Sequence, residues 1–275
     1  MKDNLIIGVA GCGAMGLPMA QKLRHAGFTV WGYDVRPAIE FMDFAPRMIE
    51  DPGEFASTIN TLISVVRDQR QNFDLLFDEQ AIMNVENPPK TIVISSTISP
   101  RCLTKIAKRL PPESALVDAA MSGAPSRAKA GTLTFMVGGE KKVVEDLLAL
   151  FRAMGDKIHQ LGSTGMGLKC KVINNFVAIT GFAAVRKALI AADALSLPRE
   201  RLLEVMSTSS GSTWYGDNID SISWAKEGYS AANTIGILEK DMLSFLDAMR
   251  GHSDIEFDNL TDSVLDIVRA SESIE

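Results

Sequence analysis

Up to about residue 162 the chain alternates short, continuously apolar runs, rich in β-branched residues, with longer amphipathic stretches. The runs occupy residues 5–10, 29–33, 61–66, 91–95, 115–118, 133–137 and 157–161, and helix-like segments at 15–26, 100–110 and 140–154 lie between them. A strand that is apolar on both faces must be covered on both, and strands that alternate with helices pair in parallel. The pattern predicts a doubly wound α/β domain: a mostly parallel sheet with helices on either side. Ser99 followed by Pro100 fits an N-cap and a first helical residue, which sharpens one helix start.

After Gly162, Gly165 and Gly167 the texture changes. Residues 168–195 are apolar on nearly every side, which predicts one helix roughly 40 Å long at about 1.5 Å per residue. Such a helix has to be buried, in its own domain or against a second subunit, so a homo-oligomer is expected. Helical periodicity returns at 199–206, 234–249 and 258–270, with no strand pattern between. The 275 residues therefore divide, on this reading, into a Rossmann-type domain at 1–162 and an all-α domain at 163–275, joined by the long helix.

Charge and cysteine usage narrow the partners. Acidic residues outnumber basic ones 34 to 28, a formal charge of −6, so nucleic acid is not an expected partner. The three cysteines (Cys12, Cys102, Cys170) and three histidines (His25, His159, His252) are too scattered for a metal site or a disulfide framework. No apolar run looks long enough to span a membrane, and glycines at 8, 11, 13 and 16 interrupt the apolar opening stretch that could pass for a signal peptide. A cytoplasmic location, with no membrane partner, is the expectation.

The first apolar run leads into GCGAMG, which spaces Gly11, Gly13 and Gly16 as a dinucleotide-binding loop. The first glycine allows the tight turn, the second lets the backbone approach a pyrophosphate, and the third lets helix and strand pack closely. The second strand ends in Asp34, whose carboxylate can accept from both hydroxyls of an adenosine ribose. It would also repel a 2′-phosphate, which favours NAD; Arg36, two residues on, leaves NADP possible.

These residues and three further blocks resemble the β-hydroxyacid dehydrogenase family, the group that includes 3-hydroxyisobutyrate dehydrogenase and the tartronate and succinic semialdehyde reductases. GCGAMGLPMAQKLRHAGFTV resembles its opening, SSTISP at 95–100 its Ser-Thr-x-x-Pro segment, and DAAMSGAPSRAKAGTLTFMVGG at 118–139 its substrate block. GMGLKCKVINN at 165–175 resembles its catalytic block. The resemblance implies a Rossmann domain followed by an all-α one, and reversible hydride transfer between NAD(P) and a small hydroxyacid or semialdehyde. By matching position it implies Lys171 as the catalytic lysine, Asn175 beside it on the substrate, and Ser122 and Gly123 on the substrate carboxylate. It places Gly11, Gly13, Ala14, Met15, Gly16, Asp34, Val66 and Thr97 at the cofactor. Lys240, in LEKDM, falls near both substrate and cofactor. The pattern departs from the family at Ala120, Met121 and Ala124, and at Asn233, where an aromatic residue is common; the chain also ends sooner, without a Gly-rich acidic segment.

The residues suit that chemistry on their own terms. A lysine withdrawn from water can donate a proton in reduction and accept one in oxidation. Asn174 and Asn175 stand three and four positions after Lys171 and can share its helix face, whereas Lys169 cannot. Thr97 and Ser122 are expected just past strand ends, where open α/β sheets bind ligands. Lys240 has a plainer reading, as a lysine paired with Glu239 or Asp241 on a helix surface. Two other functions fit the pattern: a non-catalytic NAD-binding sensor or scaffold, and a reductase of imines, in which the lysine would normally be replaced.

Overall fold

The computed structural model describes residues 5–252 and 254–274. The chain forms two compact units, Met1–Lys171 and Val172–Glu275, so the division falls inside the long helix, whereas the change of sequence texture lies at 162. The first unit holds seven strands: β1 (Ile6–Ala10), β2 (Thr29–Tyr33), β3 (Thr61–Ser64), β4 (Thr91–Ile94), β5 (Ala115–Ser122), β6 (Leu133–Gly138) and β7 (Gly155–Gln160). Its helices are α1 (Gly16–His25), α2 (Pro52–Thr58), α3 (Gln69–Leu76), α4 (Pro100–Arg109), α5 (Pro125–Ala130) and α6 (Lys141–Met154). The helix α7 (Met166–Ala194) crosses into the second unit, which continues with α8 (Arg199–Ser207), α9 (Trp214–Asp217), α10 (Thr234–Met249) and α11 (Asp258–Arg269).

The strands form one sheet in the order β2-β1-β3-β4-β5-β6-β7. Alternate residues point to opposite faces, and each face has its own core. Ile7, Val9, Ile63 and Val93 pack on one side with Met19, Leu147 and Phe151. Ala10, Leu62, Ile92 and Ile94 pack on the other with Phe55, Leu75 and Ile106. All pairs are parallel except β5–β6. The connection between those two strands holds only residues 123–132, shorter than the dozen or so a parallel crossover needs, so β6 turns back antiparallel. The chain leaves β1 toward β2 on one side and returns to β3 on the other, which places the glycine loop at the point where strand order reverses.

Two expectations change. Strand β5 runs to Ser122 because the small residues Ala119 and Ala120 are fully buried in the sheet, so Ser122 is the last residue of a strand and does not follow one. The long helix also departs from the expectation that no apolar stretch could span a bilayer, since α7 is long and apolar enough by length and composition to do so. Its side chains are those of a core helix on one side, since Val172, Ile179, Phe182, Val185 and Leu189 form the second unit's core with Tyr215, Met242, Phe245 and Val264. Ile173, Val177 and Ile190 are nonetheless more than half exposed, so the single chain does not bury the helix all round.

Candidate active site

The first unit builds a candidate site at the ends of β1, β2, β4 and β5. Gly11 takes a φ of +87°, and a Cβ there would lie 2.9 Å from the backbone of Val65 and Val66, so only glycine makes this turn. Gly16 lies against the carbonyl of Gly11, which brings α1 close under the loop. A Cβ on Gly13 would meet nothing within 4 Å, so the loop leaves open space at its second glycine. Met15, at the N-cap of α1, offers no side-chain acceptor to the first amides of the helix. Open space beside a helix N-terminus without a side-chain cap suits a pyrophosphate, and the residues present fit a nicotinamide dinucleotide. Ala14 and Met15 continue the loop, and Val66 is tied to the end of β4 by Ser96, whose Oγ donates to the Val66 carbonyl at 2.7 Å.

Asp34, just past β2, is not left to itself. Arg36 folds back on it, with Nε 3.1 Å from Oδ1, Nη2 3.3 Å from Oδ2, and the backbone amide of Arg36 3.2 Å from Oδ1. The same Nη2 donates to the Cys12 carbonyl at 3.3 Å. The guanidinium therefore lies against the carboxylate and the loop instead of pointing outward. Cys12 itself is buried, its thiol donates to the Val9 carbonyl, and burial pushes its pKa up to about 12, so it is no nucleophile.

Thr97 lies three residues past β4 and is partly exposed, as are Ser122 and Gly123 at the end of β5. Gly123 has a φ of +139°, and a Cβ there would stand 2.9 Å from Leu133 Cδ2, so the residue beside Ser122 has to be glycine. Lys171 closes the first unit and is only 7% exposed, whereas Lys169 is open to solvent. Four residues on, Asn175 is buried and Asn174 is exposed, so the two asparagines do not share an environment as the spacing suggested.

In the second unit one carboxylate orders two of the expected residues. Asn175 Nδ2 donates to Asp241 Oδ2 at 2.6 Å, and Lys240 Nζ stands 2.6 Å from Oδ1 of the same group. Lys240 does pair with its neighbour, but on a largely buried carboxylate that also holds Asn175, which the surface reading did not foresee. Glu239 is engaged elsewhere, accepting from Arg269 and from Tyr229. Asn233 caps α10, its Oδ1 accepting from the Gly236 amide, which accounts for a polar residue at that departure from the family pattern.

Two carboxylates were missed in the sequence. Asp241 was visible only as the second half of the Lys-Asp pair. Asp118 opens the DAAMSGA block and is fully buried in β5, where it accepts from the amides of Gly165 at 2.5 Å and Leu168 at 2.6 Å. Burial pushes its pKa up, and these amides pull the other way. Among the described residues no cluster of His, Cys, Asp or Glu could hold a metal ion.

Comparison with known proteins agrees with this architecture. Residues 6–162 match the family described as the NAD binding domain of 6-phosphogluconate dehydrogenase. Residues 165–270 match the one described as NAD-binding of NADP-dependent 3-hydroxyisobutyrate dehydrogenase. An L-threonate dehydrogenase of Cupriavidus necator is 31% identical over 252 residues, covering 89% of this chain and 83% of the relative. An NAD-dependent L-serine dehydrogenase of Pseudomonas aeruginosa is 33% identical over 214 residues, 76% of this chain and 71% of the relative. The crystal structure of a 3-hydroxyisobutyrate dehydrogenase from Salmonella typhimurium shares the fold with a TM-score of 0.79, at 24% identity over 95% of this chain and 92% of that one. With two family matches meeting between β7 and the start of α7, and relatives aligned along most of their length, the chain belongs to the β-hydroxyacid dehydrogenase family of NAD(P)-binding oxidoreductases.

Proposed function

We propose that the chain oxidises a small β-hydroxyacid, or reduces the matching semialdehyde, with NAD preferred over NADP and Lys171 as the general acid–base. The burial of Lys171 carries this reading: it is 7% exposed at the start of a helix where Lys169 is open. Withdrawing an ammonium from water is costly, and a protein that only bound the dinucleotide would have no use for it. The nicotinamide, when bound, accepts or supplies the hydride. In oxidation Lys171 Nζ, entering neutral, takes the hydroxyl proton as the carbon loses hydride; in reduction the ammonium returns that proton to the carbonyl oxygen. The amide of Asn175, held by Asp241, orients the substrate. Ser122 Oγ and the Gly123 amide hold its carboxylate, and Thr97 lies toward the nicotinamide.

The preference for NAD rests on Asp34 at the end of β2, its charge softened by the Arg36 pair. A homodimer or homotetramer is supported by Ile173 and Val177, one helical turn apart and both exposed on α7. Replacing Lys171 tests the chemistry. Lys171→Ala is expected to lower kcat about 10²–10⁴-fold, the usual worth of a positioned acid or base, while the Kd for NADH stays within about threefold. Lys171→Arg should not restore it, because a guanidinium does not give up its proton near neutral pH. Lys169→Ala should turn over as the wild type does. Stopped-flow NADH oxidation and a cofactor titration read both quantities; normal turnover by Lys171→Ala would remove the lysine from the mechanism.

A further inference from the structure

The first turn of α7 is bound by a side chain from β5. Asp118 lies in the middle of β5 with no solvent exposure, and its two oxygens face two different donors, the Gly165 amide at Oδ1 and the Leu168 amide at Oδ2. The amides of Gly167 and of Asp118 itself also face the carboxylate. Leu168 belongs to the first turn of α7, and Lys171 follows one turn later. Space around the carboxylate is fully used: a Cβ on Gly138 would lie 2.7 Å from Oδ1, and one on Gly167 would lie 2.9 Å from Oδ2. Ser122 is on the same strand, four residues on and therefore on the same face of β5 as Asp118. One carboxylate thus fixes the first turn of the helix that carries Lys171 against the strand that carries Ser122.

We propose that Asp118 is a positioning residue for the reaction: by binding the amides of Gly165 and Leu168 it sets where Lys171 stands relative to Ser122 and so aligns the proton-transfer group with the anchored substrate. The proposal rests on the acid–base reading of Lys171. A purely structural alternative is that Asp118 satisfies two buried amides and nothing more. The two differ in consequence, because a shift of about 1 Å in a reacting group costs on the order of 10²-fold in rate, whereas lost stability alone leaves the folded fraction's chemistry intact. Thr164 supplies a matched control. Its Oγ1 donates to the Leu116 carbonyl at 3.0 Å and ties the same connection to the same strand without touching the helix amides.

The experiment compares Asp118→Asn with wild type in single-turnover oxidation, each with Lys171 present and with Lys171→Ala. The asparagine matches aspartate in shape but turns one acceptor into a donor facing an amide N–H, so the first turn of α7 cannot keep both bonds. The expected result is a 10- to 100-fold fall in kcat with Lys171 present, a Kd for NADH within about threefold, and less than a threefold further loss in the Lys171→Ala background. Thr164→Val should keep the wild-type kcat even where its melting temperature falls. If Asp118→Asn does not fold, Asp118→Ser, which keeps one acceptor and introduces no amide, carries the same comparison. Equal losses in both backgrounds, or a wild-type kcat, would overturn the positioning role. Normal turnover by Lys171→Ala alone would instead overturn the acid–base reading, so the two failures are told apart.

Discussion

Residues of interest in the first unit are placed mainly by the backbone, and those of the second mainly by side chains that reach across long stretches of sequence. Gly11, Gly13 and Gly16 owe their positions to a turn after β1, Asp34 to the end of β2, and Ser122 and Gly123 to the end of β5. In the second unit Asn175 is fixed by Asp241, 66 residues away. Arg186, on α7, donates to the carbonyls of Ala225 and Glu227 through Nη2 and of Glu272 through Nη1, at 2.7–2.8 Å. The rings of Phe182 and Tyr215 lie against the same guanidinium. A sheet edge thus offers a ready-made row of positions, whereas a helical unit has to be pinned one bond at a time.

The largest expected effect comes from removing the pin with the most bonds. Arg186 is buried, and Arg186→Met would keep much of its apolar stem while taking the guanidinium from three carbonyls, of which that of Ala225 keeps the Tyr215 hydroxyl. At about 0.5–1.5 kcal/mol for each of the three bonds lost, the second unit should lose roughly 2–4 kcal/mol. Trp214 and Trp224 report on that unit and Trp31 on the first. Denaturant unfolding followed by fluorescence in a Trp31→Phe background should therefore show the loss, while a Trp214→Phe/Trp224→Phe background shows little. A loss below about 1 kcal/mol would mean that the second unit does not depend on individual side-chain bonds, and the contrast between the units would go.

The same contrast explains what could be read from the sequence. Strand–helix alternation and the glycine spacing are local patterns, and they led to the sheet, to the loop at its switch point, and to α10 over the very residues it occupies, capped by Asn233. Ser122 fell inside a strand because the expected end at Asp118 ignored two buried alanines. The antiparallel β6 depends on the length of one connection and not on any periodicity. Asp118 had no local signal at all, since its donors come 47 and 50 residues later. Helix spacing put Asn174 and Asn175 together beside Lys171, but only packing could show that one is buried and the other open. Nor could spacing reveal that Arg36 lies folded onto Asp34.

That folded pair is a short-range side-chain contact in the first unit's candidate site, so it sharpens the comparison at a middle scale. With Arg36→Ala the Asp34 carboxylate would face a 2′-phosphate uncompensated. The ratio of kcat/KM for NAD over NADP should rise about tenfold, equivalent to roughly 1.4 kcal/mol. Arg36 is 46% exposed in its side chain, so stability should change by less than about 1 kcal/mol. A ratio that falls instead would show that Arg36 repels NADP indirectly by holding Asp34 in place.

The smallest effect concerns acid. Glu239 in the second unit accepts from Tyr229 and from Arg269, and these bonds hold its carboxyl below the ordinary 4.5. Its contribution is therefore complete above pH 4.5 and is lost as the pH falls through the lowered value. Asp193, also in the second unit, is lowered in the same direction by Arg199. Asp118 in the first unit has the opposite sign: burial raises it above 3.8, so the folded state holds the proton more tightly and that unit gains from this group as the pH falls from the raised value toward 3.8. Unfolding measured between pH 6 and pH 3 with the two tryptophan backgrounds should show the second unit weakening first. Glu239→Gln should flatten the second unit's acid slope by no more than about 1 kcal/mol and leave the first unit's unchanged. If the first unit weakens first, or if Glu239→Gln changes neither slope, the buried strand carboxylate and the paired helix carboxylate are not opposed in the way their surroundings require.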